Sequence, residues 1–165
     1  MDRPNYNPNL EPWYSPKRII QAAQLLGRTY GTDFLKRGDF QKAQEMFIGA
    51  IAVIGAYKLS SENKYFIQVN NRSSTPDVIA GVLIQNPGEK ITLAHTPLEI
   101  VELEENSPET DLFDFIKRTK LPPVKDYKNT MILCFVNKDL PYQNTKGIIA
   151  KFKAENPKSC SVFFL

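Results

Sequence analysis

The sequence predicts an α/β fold, a central mixed β-sheet flanked by helices and preceded by an N-terminal helical extension. Three observations lead there. The 165 residues suit one domain, and a hydrophobic fraction of 42% with a charged fraction of 24% is that of a globular chain rather than a disordered one. Apolar residues recur at helical spacing as far as Ile54 and with a period of two from Tyr65. Beyond Asp111, helix-like and strand-like segments alternate, as in chains that build sheets with helical crossovers.

Residues 1–16 hold four of the twelve prolines and read as an extended arm, since each proline fixes φ and removes a donor. Trp13 and Tyr14 are its packing residues. Residues 17–165 read as one α/β domain. Ser15 followed by Pro16 forms a helix start, and Ile19, Ile20, Ala23, Leu26 and Tyr30 give a first helix. Asp39 is placed to cap a second, longer helix that packs on the sheet along Phe47, Ala50, Ile51 and Ile54. Extra apolar residues at Ile48, Ala52 and Val53 predict that it is largely buried. Three strands follow, 65–69, 78–85 and 98–105, with Asn86, Pro87 and Gly88 as a turn. His95 falls in a turn before the third strand. Asp111 caps a helix from Leu112 to Lys120 that Pro122 and Pro123 end. Thr130 to Val136 is a buried strand, Asn144 to Glu155 a helix, and Cys160 to Leu165 a last strand. Its apolar end, Phe163, Phe164 and Leu165, suits one domain of a longer protein.

Several classes of function are disfavoured. The longest apolar stretch, from Met46 to Ala56, is too short to span a bilayer, and no basic stretch precedes an apolar run at the N-terminus, so no membrane association is expected. Cys134 and Cys160 each sit in an apolar run without metal-ligand spacing; we expect free, buried thiols and a cytoplasmic location. His95 is the sole histidine and has no serine or cysteine motif beside it, which disfavours a hydrolase triad. No glycine-rich phosphate loop is present. A net charge of +3 is too mild to identify a partner by itself.

The chemistry-bearing residues are acidic. Thr75, Pro76 and Asp77 put a carboxylate at the mouth of the second strand. Glu102 and Glu104 are two apart on the third, a spacing that sends both side chains to one face and Leu103 to the other. Like charges so placed repel one another, and a metal ion would relieve them. Hard oxygen ligands suit Mg²⁺, and metal-assisted hydrolysis is the chemistry that such a cluster supports. The plain alternatives are a turn aspartate at Asp77 and a solvated acidic strand face at Glu102 and Glu104, which Glu99 and Glu105 support by making the segment acidic generally.

This arrangement resembles the PD-(D/E)XK, or restriction-endonuclease-like, nucleases, whose core runs helix, three strands, helix, strand. That family has Pro-Asp at the start of the second strand and an apolar-(Asp/Glu)-x-Lys motif in the third. Pro76-Asp77 and Val101-Glu102-Leu103-Glu104 fall at those places, 25 positions apart from Asp77 to Glu102, and the resemblance covers about residues 39 to 136. It implies a metal-dependent DNA endonuclease in which Asp77, Glu102 and Glu104 are catalytic and hold Mg²⁺ or Mn²⁺. Glu104 stands where the family usually has lysine; some active restriction enzymes carry glutamate there, and many inactive members have lost the lysine. Lys117 or Lys120 is a substitute cation in principle.

DNA is the implied partner. Arg72, in the polar loop before Asp77, and Lys117 and Lys120, in the densest basic stretch, are the expected contacts to nucleic acid. Cutting two strands favours a homodimer, with the arm and first helix as candidates for the dimer contact or for an additional domain. The rival reading is a non-catalytic α/β interaction or nucleic-acid-binding module that has lost nuclease activity.

Overall fold

The structure, a computed structural model, describes residues 12–59, 64–70, 76–85, 88, 90–120, 129–141, 144–155 and 162–164. Most of the extended arm, residues 1–11, lies outside them, as do Arg72, Pro122, Pro123 and Cys160. The fold is α/β with a mixed sheet. The chain divides into two units, Met1–His95 and Thr96–Leu165, with the boundary inside a strand.

In the first unit α1, Pro16–Tyr30, begins as expected: Ser15 Oγ accepts the Arg18 N–H at 3.4 Å and proline occupies the first turn. Ile19 and Ala23 are its buried residues. Two short 3-10 helices, Thr32–Lys36 and Gly38–Phe40, follow. They gather Tyr30, Phe34 and Phe40 into a ring cluster, with centroids 5.1 Å and 5.9 Å from Phe40. Asp39 does not cap the next helix. Its Oδ2 accepts from Arg37 Nη2 at 2.7 Å, and a 3-10 turn leads into α2, Gln41–Leu59.

The side of α2 that meets the sheet differs from the expected one. A Cβ on Gly49 would lie 3.3 Å from Val78 Cγ1 and 3.8 Å from Ile67 Cδ1, so the helix approaches the strands at its glycine. Two residues along a helix turn it by about 200°, which puts Phe47 and Ile51 on the other side. Ile48, Ala50 and Val53 are buried, while Phe47, Ile51 and Ile54 are half-buried. A glycine carries no apolar signal, and the close approach that it allows is what the hydrophobic pattern missed.

β1, Lys64–Val69, pairs antiparallel with β2, Val78–Ile84, so that Ile67 faces Ala80. The other edge of β1 is taken up by the arm. Tyr14 N–H donates to Ile67 O at 2.7 Å, and Ile67 N–H returns a bond to Tyr14 O at 2.8 Å. Trp13, beside it, lies over the backbone of β2, where a Cβ on Gly81 would come within 2.6 Å of Trp13 Cζ3. Leu93 flanks the same glycine, with Cδ1 at 3.1 Å from that position. It belongs to β3, Thr92–Leu103, which begins six residues earlier than the expected Leu98 and includes His95 and Pro97. His95 is therefore an exposed strand residue and not part of a turn.

In the second unit β3 pairs parallel with β4, Met131–Val136, and β4 pairs parallel with β5, Val162–Phe164. Parallel neighbours need crossovers, and α3, Leu112–Lys120, and α4, Thr145–Glu155, supply them. The strand order is thus β1-β2-β3 in the first unit and β3-β4-β5 in the second. Asp111 caps α3 by accepting the Asp114 N–H at 3.0 Å, and Asn144 caps α4 by accepting the Gly147 N–H at 3.0 Å. The core packs Val101 and Leu103 of β3 and Ile132 and Cys134 of β4 against Leu112, Phe113, Phe115 and Ile116 of α3 and Ile148 and Phe152 of α4. Phe113 and Phe152 join the two helices, with ring centroids 4.7 Å apart.

Gly81→Ala is expected to displace Trp13 and to destabilise the protein by about 1–3 kcal/mol, the usual cost of overpacking. Trp13 is the single tryptophan, so a red shift of native fluorescence together with an earlier urea midpoint checks both effects. Burial at Cys134 pushes its thiol up to about 12. Because the unfolded chain loses that proton from pH 9 upward and the folded chain keeps it, this thiol makes stability fall by about 1.4 kcal/mol per pH unit above pH 9. Urea titrations of wild type and Cys134→Ala should diverge with that sign between pH 9 and pH 10.5, and parallel curves would show that Cys134 is not desolvated.

Candidate functional site

Asp77 stands directly before β2 and is half-buried. Its backbone is fixed from β1. Asn70, buried just past the end of that strand, donates its N–H to Asp77 O at 3.1 Å and its Nδ2 to Pro76 O at 2.9 Å. The antiparallel pairing thereby continues one residue beyond Val69 and Val78, and the side-chain amide holds the preceding carbonyl. From the sequence Asn70 belongs to the polar loop before Asp77, which the nuclease resemblance directs at the phosphate backbone; its position, one residue past an apolar strand and opposite a Pro-Asp step, is the signal for the backbone role seen here.

Glu102 is the last but one residue of β3 and is half-buried. Val101 and Leu103 point into the core against α3 and α4, so Glu102 projects from the opposite face. Asn137, one residue past β4, donates Nδ2 to Glu102 Oε1 at 3.4 Å and its N–H to Leu103 O at 3.0 Å. Asn137 is the second residue that the sequence did not disclose. Only the parallel β3–β4 register, Leu103 opposite Val136, brings it beside Glu102.

Glu104 is exposed and lies outside the strand, which ends at Leu103. Its carbonyl accepts the Ser107 N–H at 3.0 Å, closing a turn. The expected alternation of Glu102 and Glu104 along one strand therefore stops one residue short.

Glu99 and Lys120 also differ from expectation. Glu99 is buried at 2% exposure and is not part of a solvated acidic face. Lys120 reaches it from the last turn of α3, Nζ to Oε1 at 2.9 Å. Lys120 is therefore engaged by a buried carboxylate. Lys117 pairs with Glu155 of α4 at 2.8 Å and lies over the Phe113 ring, and Arg118 pairs with Glu109. The loop between β3 and α3 is also held by Lys138, whose Nζ donates to the carbonyls of Ser107 and Glu109, the latter at 3.1 Å. Arg72 lies outside the described residues.

Among the described residues no group of three or more His, Cys, Asp or Glu side chains is placed to hold a metal ion. Mg²⁺ ordinarily takes one or two carboxylates and fills its octahedron with water and substrate phosphate oxygens. No helix among the described residues is long and apolar enough to cross a membrane. Comparison with protein-family models, with curated proteins and with solved structures finds no match.

Removing one partner of the Glu99–Lys120 pair leaves a buried charge, and Lys120→Met is expected to cost about 3–5 kcal/mol. The double variant Glu99→Leu/Lys120→Met should recover most of that loss. A double-mutant cycle in urea checks it; a small effect of Lys120→Met alone would show that Glu99 is solvated in solution.

Proposed function

We propose that the chain is a metal-dependent DNA endonuclease built on a restriction-endonuclease-like core. The observation that carries this reading is the order of elements: α2, β1, β2, β3, α3 and β4 run helix, three strands, helix, strand. Pro76-Asp77 stands immediately before the second of those strands and Glu102 near the end of the third. In this reading Asp77 and Glu102 are the carboxylate ligands of Mg²⁺ or Mn²⁺. A bound cation of this kind lowers the pKa of water and offsets charge on a phosphodiester oxygen. Asn70 fixes the Asp77 backbone, and Asn137 orients the Glu102 carboxylate. Glu104, exposed beside them in sequence, positions the attacking water. A homodimer gives one such centre for each strand of a duplex. A buried free thiol at Cys134 accords with a cytoplasmic protein.

A second reading, a non-catalytic interaction module on the same core, is favoured by one observation. Lys117, Arg118 and Lys120 are each matched by a carboxylate of the second unit, Glu155, Glu109 and Glu99, which reduces the attraction of α3 for phosphates.

Nicking of supercoiled plasmid separates the two. With Mg²⁺ or Mn²⁺ the wild-type protein is expected to nick, and Asp77→Asn or Glu102→Gln to reduce the rate more than about 100-fold, with Asn137→Ala losing roughly 10- to 100-fold, as for groups that orient a metal ligand. Glu104→Lys restores the family's usual residue and is expected to retain activity. A wild-type protein that cuts nothing with either metal, and whose melting temperature neither metal raises, leaves the interaction module.

A further inference from the structure

We infer that the exposed face of α1 binds the sugar-phosphate backbone of duplex DNA, an inference that rests on the DNA-directed reading above. Lys17, Gln21, Gln24 and Arg28 are all exposed, and their spacing of four, three and four places them on a single stripe of the helix. Arg18 and the exposed Leu25 flank it. From Lys17 to Arg28 the stripe is about 16 Å long, close to the rise of five base pairs at about 3.4 Å each. Lysine, arginine and glutamine are the side chains that commonly contact phosphate oxygens.

Among the described residues the charge of this face is not compensated. The helix contains no acidic residue, and residues 12–40 carry five cations against two carboxylates. One of those carboxylates, Asp39, is taken by Arg37 at 2.7 Å. No ion pair joins Lys17, Arg18 or Arg28 to another residue among those described, whereas every cation of α3 has one. Lys17 and Arg18 moreover sit in the first turn, at the positive end of the helix dipole, where cations weaken a helix. Residues that oppose local stability in this way are serving something other than the fold. A polyanion satisfies all three cations at once. A second copy of α1, docked through Leu25, would instead set like charges against one another across the contact.

The test is the binding of a fluorescein-labelled DNA duplex in EDTA, followed by polarisation across a salt series. Neutralising two phosphate contacts reduces the slope of log K against log salt by about 2 and weakens binding roughly tenfold at physiological salt. The double variant Lys17→Gln/Arg28→Gln should show both effects with an unchanged melting temperature, because both positions are exposed, while Lys117→Gln/Arg118→Gln should stay within about twofold of wild type. Unchanged affinity and slope in the α1 variant overturn the inference, as does wild-type protein that binds no duplex, or an α1 variant that turns from dimer to monomer while binding DNA as before. The outcome is distinct from that of the nuclease reading. Loss of duplex binding in the α1 variant of a protein that never cuts leaves this inference standing and removes the nuclease; full cutting with unaltered binding does the reverse.

Discussion

Burial of Val101 and Leu103 against α3 and α4 sets the surroundings of every acidic residue on β3. Side chains on a strand alternate, so with those two fixed inward Glu99 must also face the helices and Glu102 must face away. The same parity that gives Glu102 a partly open position forces Glu99 into the interior at 2% exposure. A buried carboxylate is tolerable only when paired, and Lys120 is the residue of α3 that reaches it. The helix that encloses the core is thereby tied to the strand at its last turn. One alternation accounts for a candidate ligand and for the ion pair behind it.

Elements defined by their own sequence were legible; those defined by neighbours were not. Ser15, Asp111 and Asn144 each cap a helix whose start the sequence predicts, because a cap is a bond between residues three apart. The extent of β3 was not legible. Thr96-Pro97 suggests a turn, yet Leu93 lies against Gly81 of β2, and such a contact leaves no local trace. The sheet-facing side of α2 was misread for a related reason. Helical periodicity weights apolar side chains, whereas close packing is set here by the residue without one, Gly49.

The candidate site divides along the same line. Asp77 and Glu102 are recognisable as acidic residues at particular places along strands, and the structure puts each at the place expected of it. Asn70 and Asn137 are not recognisable, since asparagine after a strand reads as a loop former. Both follow the last residue of a strand, and both reach across to the neighbouring strand with a side-chain amide and a backbone N–H together. That double attachment fixes a strand end more firmly than either bond alone. At Glu102 the side-chain amide reaches the carboxylate itself, whereas at Asp77 it is the Pro76 and Asp77 carbonyls that are held.

Charge is the remaining link between fold and partner, and its pairing matters more than its density. Counting along the sequence makes α3 and the residues after it the basic part of the chain, yet Lys117, Arg118 and Lys120 each face a carboxylate. Their field at a distance is that of pairs, which falls off faster than that of lone charges and is further screened within about 10 Å at ordinary salt. In α1 the three cations lack such partners among the described residues, so their fields add along one exposed side of the helix. The net charge of +3 equals the excess carried by residues 12–40, because the remainder of the chain balances. A chain of nearly neutral composition can therefore present a cationic surface on one helix, and it is uncompensated charge of that kind that a polyanion detects first.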